Sequence, residues 1–148
     1  MELGSVFRHV ARLVPRGVDG VKCFERELAA AGGLTFRVDL GIRAIPTARI
    51  VGSVGRWNNL RQDFFYKDGL AMEGRYRRIG EAMARDKPLP AIEVYELRTP
   101  CPGGPDTETH SEYYVVDGHH RVAMAKKLGR DFLDAHVVLY RASSVLGA

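Results

Sequence analysis

The segment Tyr113-Tyr-Val-Val-Asp-Gly-His-His-Arg-Val-Ala-Met-Ala-Lys-Lys-Leu-Gly129 constrains the chain more than any other. Tyr113 to Val116 reads as a short buried strand, Asp117-Gly118 as a turn, and about His119 to Leu128 as a helix stopped by Gly129. A strand entering a helix through a glycine turn implies a sheet with helices packed on it. The rest of the sequence agrees. Leu34, Phe36, Val38 and Leu40 alternate with Thr35, Arg37 and Asp39, as in a half-buried strand, and Arg43 to Ile45 makes a second extended piece. Met72, Tyr76, Ile79 and Met83 form one stripe of a helix over Met72 to Arg85, ended by Lys87-Pro88-Leu89-Pro90. Ala91 to Leu97 and Phe132 to Tyr140 complete the strands, and Thr99 to Ser111, with three prolines and two glycines, is a long loop or hairpin tip. The expected fold is a single mixed α/β domain, a small sheet flanked by helices, over residues 34–148.

Residues 1–33 read as a helical N-terminal extension, with helices at Gly4 to Val14 and Asp19 to Ala31 around the breaker Pro15-Arg16-Gly17. The 148 residues, 45% apolar and 27% charged, suffice for one core without disulfides. Cys23 and Cys101 have no CxxC spacing, so a reducing, cytoplasmic compartment is expected. No run approaches the ~18 apolar residues of a membrane span, and no membrane partner is expected. The net charge of +4 favours an anionic partner, and arginine's planar fork suits phosphate or carboxylate.

The turn before the last helix is a ready anion site. A helix N-terminus presents unpaired N–H groups and about half a positive charge. Gly118 permits close backbone approach, Arg121 offers a bidentate contact, and His119 and His120 can donate hydrogen bonds or handle protons. The same residues also fit a plainer role, with Asp117 capping the helix or fixing the His119 tautomer. Adjacent histidines point apart on a helix, which disfavours zinc; Asp117 suits Mg²⁺ arriving with a nucleotide. Gly52-Ser53-Val54-Gly55-Arg56 could serve as a phosphate nest, with Ser53 as a hydroxyl contact and Arg56 as counter-charge, or as a structural turn. Nothing near Ser53 in sequence makes it a nucleophile. Arg75, Arg78 and Arg85 lie on one side of their helix and suit DNA phosphates, a nucleotide or solvent, and Arg77 with Glu81 makes an i, i+4 pair. Trp57, Phe64, Phe65 and Tyr66 suit core packing or base stacking.

The order Ile45-Pro46, a helix, Pro88-Leu89-Pro90-Ala91-Ile92-Glu93-Val94, then Tyr114-Val-Val-Asp-Gly-His-His-Arg121 with its helix and closing strand resembles the ParB/sulfiredoxin superfamily from about Arg43 to Leu139. The resemblance implies nucleotide phosphates held by the glycine and basic residues of the turn. Sulfiredoxin carries its catalytic cysteine where this chain has His119, so sulfinic acid reduction is not expected. Chromosome-partitioning members bind CTP and add a helix-turn-helix and a dimerisation region; neither is expected within these 148 residues, so a full partitioning role is not expected. Free serine kinases carry Asp-Gly-His-Thr-Arg, which Asp117-Gly118-His119-His120-Arg121 matches except at His120. Those kinases take a general base from an earlier loop, whereas residues 52–56 hold no carboxylate; Asp63, Asp68 and Glu73 come next. The resemblance thus implies a nucleotide-binding domain, taking ATP or CTP with Mg²⁺ and acting as an NTPase or phosphotransferase. Asp117, His119 and His120 would be its catalytic residues. A ParB-like DNA-binding or nuclease module and a non-catalytic, nucleotide-responsive regulator are the alternatives.

Overall fold

The computed structural model describes residues 20–68, 73–101, 103–104 and 108–142. Six strands form one mixed sheet: β1 (Lys22–Cys23), β2 (Leu34–Pro46), β3 (Ile50–Ser53), β4 (Ile92–Pro100), β5 (Thr109–Asp117) and β6 (Phe132–Ala142). The helices are α1 (Phe24–Ala30), α2 (Glu73–Ala84) and α3 (His119–Lys127). The strand order is β1-β3-β5-β4-β6-β2. β3 runs parallel to β1 and β5, β4 parallel to β6, and the β4–β5 and β2–β6 pairs are antiparallel.

Side chains alternate across a pleated strand, so Val94 and Val115 face one side and Tyr95 and Tyr114 the other. α2 and α3 cover the first side, burying Tyr76, Met83, Val122 and Ala123 with Ile50, Ile92, Val94, Val115 and Val137. The second side is closed at one end by α1, whose Phe24 ring meets Tyr95, Tyr114 and Tyr140 edge-on at 5.1–5.3 Å.

The expected elements recur with several differences. The helix predicted from Asp19 begins at Phe24, because Lys22 and Cys23 pair with Gly52 and Ser53 as an edge strand. The described part of the predicted extension therefore packs on the sheet; Gly4 to Val14 lies outside the described residues. The two extended pieces at Leu34 to Leu40 and Arg43 to Ile45 are one strand, carried past Gly41 (φ 72°) by a register shift. Phe36, expected on the buried face of its strand, is 50% exposed on this edge strand. Arg77 reaches back to Glu73 at 3.8 Å instead of forward to Glu81. Of the aromatic run, Phe64 and Tyr66 are core residues and Trp57 and Phe65 pack partly buried against the same core.

Gly52 sits where β1, β3 and β5 converge, and a Cβ there would collide with the Tyr114 ring and the Lys22 carbonyl. The neighbouring backbone leaves no slack on the β1 side. This glycine reads in the sequence as part of a loop, and its real constraint is strand packing.

Candidate functional site

β5 delivers the chain to Gly118, which caps α3 at φ 108°, ψ 23°. This left-handed geometry favours glycine, and a Cβ would lie 2.5 Å from Ile92 Cγ2 and 3.2 Å from an Arg121 nitrogen. The first turn of α3 is thereby pressed onto β4 and fans its three polar side chains in different directions.

His119 points into the protein and is 4% exposed. Its Nε2 lies 2.8 Å from Ser53 Oγ, and the ring also bonds the Val115 backbone. Burial, reinforced by the Arg56 charge, pushes its pKa down to about 4, so the ring is neutral at pH 7. Ser53 Oγ additionally accepts from the Arg56 N–H at 3.3 Å and approaches the Val115 carbonyl at 3.4 Å. One buried hydroxyl therefore joins the β3 exit, the end of β5 and the head of α3. The sequence offers no sign of this pairing, because the partners are 66 residues apart. Ser53→Ala is expected to cost about 1–3 kcal/mol in chemical denaturation, since it strands His119 Nε2 in the interior.

His120 turns toward α2 and the segment before it, between the Tyr66 and Tyr76 rings at 5.1 and 4.8 Å. It is 9% exposed, and its Nε2 is buried without a hydrogen-bond partner. Desolvation first, then the charges of Arg75, Arg56 and Arg121, lower its pKa. Arg56 is held by Nη1 donating to Tyr66 Oη at 3.1 Å, and Tyr76 Oη accepts from the Tyr66 N–H at 2.9 Å.

Arg121, expected to grip a ligand, has hydrogen-bond partners within the protein. Its Nη1 donates to the Pro90 and Ala91 carbonyls, and its Nη2 lies 3.4 Å from Asp117 Oδ2. It thus fastens α3 to the start of β4 while its charge still acts at His120. A cleft of about 290 Å³ opens beside it, lined by Met83, Leu89, Ile92, Arg130 and Phe132 among others. The Asp117 side chain is 72% exposed.

The structure therefore brings Ser53, Arg56, Asp117, Gly118, His119, His120 and Arg121 to one place. Of the basic helix face, Arg75 joins them through its charge on His120, while Arg78 is exposed on α2 and Arg85 is exposed in the turn just after it. Tyr76, which the sequence marks only as part of a helix stripe, and Tyr66, which it marks as suited to core packing or base stacking, form the walls around His120.

Among the described residues no cluster of three or more His, Cys, Asp or Glu could hold a metal. Asp117 by itself suits a magnesium ion that already carries phosphates and water, because such an ion needs only one or two protein carboxylates. No helix among the described residues is long and apolar enough to cross a membrane. No protein-family model matches this chain, and no curated protein matches it by sequence.

Proposed function

We propose that this chain is a ParB/sulfiredoxin-like domain that binds a nucleoside triphosphate with Mg²⁺ at the head of α3 and transfers the terminal phosphoryl group to water or a hydroxyl. The observation that carries the reading is the unpartnered, buried Nε2 of His120 at a helix N-terminus, in the field of three guanidinium groups. Buried polar atoms are almost always satisfied, and one left open amid positive charge calls for an anionic ligand. The Asp-Gly-His-His-Arg turn and the mixed sheet are consistent with the same family.

In this reading the first N–H groups of α3, Arg56, Arg75 and His120 hold phosphate oxygens. Arg121 positions the turn, and Ser53 with His119 keeps the Arg56 loop against it. Asp117, exposed at the turn, orients the attacking oxygen and accepts its proton. Mg²⁺ bound with the nucleotide would neutralise phosphate charge.

The test is a titration of ATP, CTP and GTP with Mg²⁺, combined with an assay of phosphate release. Arg75→Ala is expected to weaken binding about tenfold, equivalent to ~1.4 kcal/mol for one partly exposed charge-assisted contact. Asp117→Asn is expected to slow release far more than it weakens binding. Binding without release in the native protein would instead make it a nucleotide-responsive regulator. Tight, salt-sensitive DNA binding with no response to nucleotide would favour the nucleic-acid role of Arg75, Arg78 and Arg85.

A further inference from the structure

We infer that phosphate binding at the head of α3 is coupled to uptake of a proton by His120, which then donates from Nε2 to a phosphate oxygen. This inference rests on the phosphate-site reading and adds a regulation to it: affinity is set by pH.

The geometry isolates the imidazole. Tyr66 Oη is taken by Arg56 and Tyr76 Oη by the Tyr66 N–H, so neither flanking hydroxyl is bonded to Nε2. The charges that act on the ring come from three elements: Arg56 after β3, Arg75 on α2 and Arg121 on α3. All are positive. Arg61 and Asp63, which act on Tyr76, form an ion pair with each other. His119 alongside is neutral and committed to Ser53.

Burial and like charge therefore favour the neutral form of His120. A neutral ring presents at Nε2 either a lone pair, which repels a phosphate oxygen, or an N–H, according to its tautomer; the protonated ring presents a donor there in every case and adds a positive charge. A bound polyphosphate reverses the sign of the local field and raises the pKa. Affinity then rises as pH falls between the pKa of the bound state and that of the free state, by up to about tenfold per pH unit, and levels off outside that interval.

The experiment is calorimetric titration of the full chain with inorganic triphosphate and Mg²⁺ between pH 6 and 8.5, in pairs of buffers with different ionisation enthalpies. This probe carries no base, and its own proton release is common to every variant. The native protein is expected to take up a larger fraction of a proton than His120→Gln, which has a donor but nothing to titrate. Arg75→Gln, at an exposed position, removes one positive charge from His120 and is expected to move the affinity curve to higher pH. Equal uptake in native protein and His120→Gln, or an unmoved curve in Arg75→Gln, overturns the coupling and leaves the phosphate site standing. A native, folded protein that does not bind triphosphate at any pH overturns both.

Discussion

Gly118→Ala is expected to lower the stability of this domain by about 2–4 kcal/mol and to abolish the phosphate binding proposed at the head of α3. Two costs combine. An L-residue at φ 108° is strained by roughly 1–2 kcal/mol, and the added methyl meets Ile92 at 2.5 and 2.8 Å, a buried side chain on the central strand β4. Ile92 is 1% exposed and packed between neighbours, so it cannot retreat without opening the core. The strain is relieved only if the first turn of α3 lifts off β4, which carries Arg121 away from the Pro90 and Ala91 carbonyls and His120 away from its tyrosines. Urea denaturation would show the midpoint falling with little change in slope. A variant as stable as the native protein would contradict the packing described for this turn.

Acid is expected to destabilise the fold through His119, with the loss beginning below about pH 6.5. The sign follows from linkage. The folded state holds this imidazole at a pKa of about 4, below its ordinary value of 6.5, so the unfolded chain binds the proton more readily. The stabilisation is fully present above pH 6.5 and is lost as pH falls toward 4, to a limit of about 3 kcal/mol. Burial is the leading cause, with Arg56 second; Asp117 and the Val115 backbone bond oppose them. His120, shifted the same way, adds to the slope. Denaturation measured from pH 7.5 to 4 should show this decline, and His119→Gln should flatten it despite starting from lower stability. A profile that is flat in the native protein over this interval would mean that the imidazole is not buried neutral.

The comparison of sequence with structure turns on range. Period-two runs at Ile92 to Leu97 and Phe132 to Tyr140, and the 3.6-residue stripe of Tyr76, Ile79 and Met83, announce their elements because a half-buried strand or helix must repeat with its own geometry. Asp117-Gly118 marks its turn for the same local reason. Two other features arise from contacts between distant segments. Cys23 becomes part of a strand only because β3 offers a free edge, and Phe24 becomes a core residue only because three tyrosines meet beneath it. Likewise Ser53 and His119 form a pair through the parallel register of β3 with β5, which places Ser53 beside Val115, four residues before His119. The reach of Arg121 to Pro90 and Ala91 is equally non-local, and it makes that residue a brace between α3 and the start of β4.

The central claim, a phosphate site at the head of α3, is tested most directly by the melting temperature of the native protein with ATP, ADP, CTP and GTP, each with Mg²⁺. The same series on a variant carrying both Arg56→Ala and Arg75→Ala serves as the control. At 100 times its Kd a ligand adds about 2.7 kcal/mol of stability, a rise of several degrees for a domain of this size. The account predicts such a rise with at least one triphosphate, and its loss in the double variant. No rise with any nucleotide, or a rise that the double variant retains in full, would contradict it.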